Sequence, residues 1–210
     1  MSTIALSDAH YPGTVAARDW SGAAPKRIVT GYGFWIFILS DMVMFSAFFA
    51  TYAVLLGQTA GGPSGHDLFD LRNVAIETAL LLASSFTCGL ASIAADNRSA
   101  IWFQLAMAVT CAFGLGFLAI EGNEFASLVA RGAGPSRSAF LSAFFTLVGC
   151  HGLHVSGGIL WLLTMMAQVI TKGFRQDILR RILCFALFWH ALDIIWIAVF
   201  TVVYLLGSAV

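Results

Sequence analysis

The sequence predicts an all-α membrane protein: five transmembrane helices in an up-and-down bundle, N-terminus inside and C-terminus outside. Three observations lead there. Of 210 residues, 59% are hydrophobic and 10% charged, and the mean hydropathy of +0.85 exceeds what a soluble domain of this length could bury. Five apolar runs reach the roughly 20 residues that a helix needs to cross about 30 Å of hydrocarbon. The connections between them are short, which makes consecutive helices antiparallel neighbours.

Residues 1–29 carry Pro12, Gly13, Pro25 and scattered charge without the compact apolar stretch of a signal peptide. They read as a cytoplasmic arm leading into a single transmembrane domain, 30–210. Helix one is expected near 33–56, and helix two near 74–95 after the turn-rich Gly61-Gly62-Pro63-Ser64-Gly65. Helix three, near 101–122, follows the tight turn Asp96-Asn97-Arg98-Ser99, and helix four, near 139–170, follows Gly132-Ala133-Gly134-Pro135. At 1.5 Å per residue helix four would be about 48 Å long, so it must tilt or protrude. The basic stretch 171–182 leads into helix five near 183–206. Small residues four apart, Ser85 and Gly89, Ala91 and Ala95, Ala112 and Gly116, Gly152 and Ser156, read as stripes where helices approach closely within the bundle. The pair Gly157-Gly158 inside helix four reads the same way.

Orientation follows from the cationic residues. Arg18, Lys26, Arg27, Arg98, Lys172, Arg175, Arg180 and Arg181 fall on the side of the N-terminus, and only Arg72, Arg131 and Arg137 on the other. The positive-inside bias then places the N-terminus in the cytoplasm.

The net charge is zero, which gives no support to a nucleic-acid surface. Cys88, Cys111, Cys150 and Cys184 all lie in expected helices with no Cys-x-x-Cys pair, and read as small buried residues instead of a disulfide or zinc framework. No Ser-His-Asp set, P-loop or glycine-rich nucleotide cradle is evident.

What stands out is the set of ionisable groups inside apolar helices, each a functional-site candidate because it must be partnered or neutral at that depth. His151 and His154 are three apart on one face of helix four. They could hold haem or metal, relay protons or lock helices together, and His154 with His190 is the one haem pair that the depths allow. In helix five Trp189, Asp193 and Trp196 form an i, i+4, i+7 stripe that turns the acid toward other helices, and His190 is one turn from Asp193. Asp41 lies mid-way along helix one, at a depth matching His190 and Asp193, and is expected to face helix five or its neighbour or to stay protonated. Glu121 and Glu124 are expected to end helix three, and Glu77 to open helix two, on the same outer side. The simplest reading lets them reach the interface, with Glu77 complementing a helix dipole.

Several motifs in order resemble subunit III of the haem-copper respiratory oxidases. They are Phe34-Trp35-Ile36-Phe37 through Ser40-Asp41 to Tyr52, the Glu124-Phe125 step, Ser142-Ala143-Phe144-Phe145 with Gly149-Cys150-His151-Gly152-Leu153-His154-Val155, and Trp189-His190-x-x-Asp193-x-x-Trp196. The resemblance covers about residues 28–207. Two departures narrow it: many members have seven helices where five are expected here, and Asp41 stands where those members carry Glu. The five-helix form resembles the bacterial bo-type ubiquinol oxidase branch.

The resemblance implies an accessory subunit of the bacterial cytoplasmic membrane with no catalytic residue, cofactor or metal of its own. Haems and copper would lie on oxidase subunit I, with subunits II and IV in the same complex and phospholipid bound. It also implies a carbodiimide-reactive acid at Asp41 and a role in complex stability and proton uptake. Two other readings remain at the level of residues. One is a haem b membrane anchor using His154 and His190; the other is a small proton-coupled transporter using Asp41 and Asp193.

Overall fold

The structure, a computed structural model, describes residues 26–62 and 70–209. All regular structure among them is helical: α1 (Lys26–Leu55), α2 (Leu71–Asp96), α3 (Ala100–Ala130), α4 (Ala139–Lys172) and α5 (Gln176–Val199). A π-helical segment, Phe200–Leu205, continues α5 into a last α-turn, Leu206–Ala209. Five helices are long and apolar enough to cross a membrane, the fifth counted as Gln176–Leu205. In hydrocarbon a helix is the one open-chain way to pair every backbone group, so long apolar runs become helices. Side-chain hydroxyls are satisfied the same way: Ser46, Thr51, Thr78, Ser92, Thr146 and Ser156 each donate to the carbonyl four residues back.

The helix ends depart from expectation in four places. Helix one begins at Lys26, so the last residues assigned to the arm are helical; residues 1–25 lie outside the described residues, as do Pro63 to Gly65 of the first loop. Helix two begins at Leu71, where Asp70 caps it by accepting from the Arg72 backbone N–H at 3.0 Å. Helix three runs on to Ala130. There Gly132, at φ +77°, and the bond from Ala133 N to Leu128 O (2.9 Å) close it in a left-handed cap. Its polar continuation, with Asn123, Glu124 and Ser127, resembles a loop in composition, but the backbone keeps its helical bonds. Helix five begins at Gln176, leaving only Gly173 to Arg175 as the connection after Gly173, at φ +65°, ends α4.

In the second half of helix five, six residues are π-helical. Widening the turn redirects backbone carbonyls, and the Tyr52 hydroxyl of α1 donates to one of them, Val203 O, at 3.1 Å. Packing runs α1 to α4, α4 to α3, α3 to α2, α2 to α5, and α5 back to both α1 and α4. The centre of this ring is α5: 61% of its most apolar window is buried within the bundle, against 11% for α1. Side chains such as Val43, Val54, Ile101, Leu153 and Ile170 point outward, as lipid contact requires.

Candidate functional site

The polar groups of α5 are docked on the hydroxyl-rich face of α2. Trp189 Nε1 donates to Ser84 Oγ at 3.0 Å and Trp196 Nε1 to Thr78 Oγ1 at 3.1 Å. Ser85 Oγ is 2.6 Å from His190 Nδ1, and the Asp193 carboxylate, one turn further along α5, lies near enough to feel the same hydroxyl. His190 is thus tied across the seam to Ser85 of α2, one turn along α5 from Asp193. Asp193 is 6% exposed, and its Oδ2 has no hydrogen-bond partner among the described residues. The same face of α2 meets α3 through Thr87 and Thr110, 2.7 Å apart.

Room for Trp189 comes from two glycines. A Cβ on Gly158 of α4 would lie 2.9 Å from the Trp189 ring, and one on Gly114 of α3 would lie 3.2 Å from it. Gly158 is thus a packing glycine, whereas Cβ atoms on Gly157 or Gly152 would meet nothing within 4 Å. Of the expected stripes, Ala91 and Ala95 are buried and Gly116 faces Leu80, but Gly89 and Gly152 mark no close approach.

His151 and His154 have different surroundings. His151 is fully buried, its ring 5.1 Å from Trp196 and 5.8 Å from Phe117, and neither ring nitrogen has a partner among the described residues. His154 packs on Phe45 of α1 at 5.3 Å and donates from Nδ1 to Cys150 O at 2.8 Å. The two histidines of the candidate haem pair face different helices, His154 being turned to α1 and His190 to α2. Asp41 is half-buried on α1 and lies close enough to α4 to act electrostatically on the Cys150 thiol.

The acids at the far end are not at the surface. Glu77 is 0% and Glu121 4% exposed, and Glu124 is largely covered. The three act electrostatically on one another and on Tyr204 of the π-helical segment. With α2 starting at Leu71, Glu77 is past the first turn, so Asp70 holds the dipole position first given to Glu77. Among the described residues no three His, Cys, Asp or Glu side chains are gathered to hold a metal ion.

These residues fall on the motifs of one family. The model of the family described as "Cytochrome c oxidase subunit III" matches residues 4–208. The chain belongs to this subunit III family. Among curated members, the cytochrome bo(3) ubiquinol oxidase subunit 3 of Pseudomonas aeruginosa is 51% identical over 203 residues, 97% of this chain and 95% of that one. The quinol oxidase subunit 3 of Bacillus subtilis is 43% identical over 175 residues, 83% of this chain and 86% of its own. The cytochrome c oxidase subunit 3 of a Bacillus species is 41% identical over 191 residues, covering 88% and 92%.

As a subunit III family member the chain is a multi-pass helical component of the respiratory oxidase family, in agreement with the resemblance read from its motifs. Sequence reasoning missed Thr78, Ser84 and Ser85 as partners of the last-helix signature. One signal was available: a buried indole N–H needs an acceptor, and Thr78, Ser84 and Ser85 recur on helix two.

Proposed function

We propose that the chain is the non-catalytic subunit III of a proton-pumping terminal ubiquinol oxidase of aerobic respiration. In this reading haems and copper reside on subunit I, against which the chain packs, with subunits II and IV in the same complex. The observation that carries the reading is 51% identity over 97% of the chain to a bo(3) ubiquinol oxidase subunit 3. The 41% match to a cytochrome c oxidase subunit 3 favours, as a second reading, the same accessory role in an oxidase fed by cytochrome c. The polar groups then serve assembly: the α2–α5 hydrogen bonds hold the bundle, and Asp41, His154 and the outward face of α1 meet neighbours or lipid. A groove of 590 Å³ between α2 and α3, lined by Leu90, Ile93, Trp102 and Leu105, suits an acyl chain. Residence in the bacterial cytoplasmic membrane, with the N-terminus inside, belongs to the same reading.

The test is purification in a gentle detergent with subunit identification and a visible spectrum. The expected outcome is a haem-bearing large subunit co-purifying with a colourless chain, in a complex that oxidises quinol. A Soret band in the isolated chain would overturn it in favour of the haem b anchor. Asp41 is expected to react with a lipophilic carbodiimide, and Asp41→Asn to remove the label and lower proton uptake by the complex. Unchanged labelling and uptake would remove Asp41 from this role.

A further inference from the structure

The sequence contains three glutamates, Glu77, Glu121 and Glu124, and the fold brings all three together. Glu77 comes from α2 and the others from successive turns of α3. None of their six oxygens has a hydrogen-bond partner among the described residues, and no ion pair involving them is formed there. Unpaired carboxylates so enclosed, each acting on the next, cost far more than carboxyls that have taken up protons. A single metal ion is not the compensation, since no three such side chains are gathered tightly enough to bind one.

A route for protons is built in. A cavity of 370 Å³ lies against Glu124, lined also by Asp70, Asn73, Asn123, Ser127 and Arg131. Its polar walls and size suit several hydrogen-bonded waters. Behind Glu124 stand Glu121 and Glu77, more than nine-tenths buried and unpartnered. We propose that Glu77, Glu121 and Glu124 form a proton-binding site that exchanges with the aqueous phase at the Asp70–Arg131 end of the bundle through this cavity.

The step is an acid–base transfer. A hydronium in the cavity gives a proton to the Glu124 carboxylate, leaving water and a neutral carboxyl. Through a water drawn in from the cavity, that O–H passes its proton to a neighbouring glutamate carboxylate, and Glu124 is ready again. The ionisable groups around the site are Asp70 before α2, Arg131 after α3, Tyr204 of the π-helical segment and, through Tyr204, Tyr52 of α1. From α4, His151 is one aromatic layer away, against the Phe117 ring one turn before Glu121. Arg131 and Asp70 stand at the cavity, so the deeper carboxyls depend on protons for neutrality.

Because the chain has no other glutamate, ¹³C-glutamate labelling of the full chain in lipid vesicles reads this site alone by infrared spectroscopy. The expected result is an isotope-shifted carboxylic acid C=O band at neutral pH. It should move within seconds of transfer to D₂O and be reduced in Glu121→Gln. Asn73→Phe, which fills the cavity without touching the glutamates' chemistry, should keep the band and lose the fast exchange. Carboxylate bands alone at neutral pH would overturn the proposal, as would a band unmoved after hours in D₂O. The wild-type measurement decides the matter even where a variant fails to fold.

Discussion

At the residue scale the sharpest constraint is the missing Cβ of Gly158. The atom it would meet belongs to Trp189, which is 2% exposed, boxed in by Phe185, Gly114 and Gly158, and tied through its N–H to Ser84. Gly158→Ala therefore forces a rigid ring to move and is expected to cost about 1–3 kcal/mol, as overpacking does. Gly157→Ala, with open space around it, is expected to gain about 0.5–1 kcal/mol from helix propensity. Thermal unfolding of the purified protein, read side by side for the two variants, checks the contrast. Equal effects would mean that Trp189 has room to shift. The sequence pointed to close packing at Gly157-Gly158, but which glycine touches a neighbour depends on how α4 is rotated against α5.

At the element scale the seam between α2 and α5 holds the molecule's centre. Three side chains of α5, Trp189, His190 and Trp196, bond Ser84, Ser85 and Thr78. Burial between lipid-immersed helices gives little hydrophobic gain, so packing and such bonds set their association. A double-mutant cycle on Ser84→Ala and Trp189→Phe is expected to give a coupling energy of about 0.6 to 1.7 kcal/mol in detergent or lipid. Coupling indistinguishable from zero would reduce the seam to shape packing. The π-helical segment belongs to this scale too. Tyr52→Phe removes the hydroxyl that meets Val203 O and is expected to cost about 0.5–1.5 kcal/mol, measured by the same unfolding assay. The segment was not legible because periodicity averages over whole helices and a π turn shifts it only locally.

At the scale of the whole molecule the up-and-down order and the charge asymmetry make a claim about sidedness. Exposed loop positions test it. Asn97→Cys is expected to react with an impermeant thiol reagent only from the cytoplasmic side, and Ser136→Cys only from the opposite side. Reversed labelling would turn the bundle over and with it the aqueous phase that meets the glutamate cavity. The four native cysteines are buried or half-buried in helices, which keeps the background low.

The number and order of helices and the family motifs could be read from the chain alone, because apolar runs of membrane-spanning length leave a backbone no other way to satisfy itself. So could the presence of polar groups that had to be inside, such as Asp193 and His151. What each of them faces was decided only in three dimensions. His154 turns to Phe45 and His190 to Ser85; Glu77, Glu121 and Glu124, read as ends of helices, meet in one buried cluster. The physical reason is rotation: spacing along a helix fixes which residues share a face, while the neighbour that face meets is set by interhelical packing of small residues and rings. A helix end read from composition fails for the same reason, since Glu124 is polar yet sits within α3, covered by the elements around it.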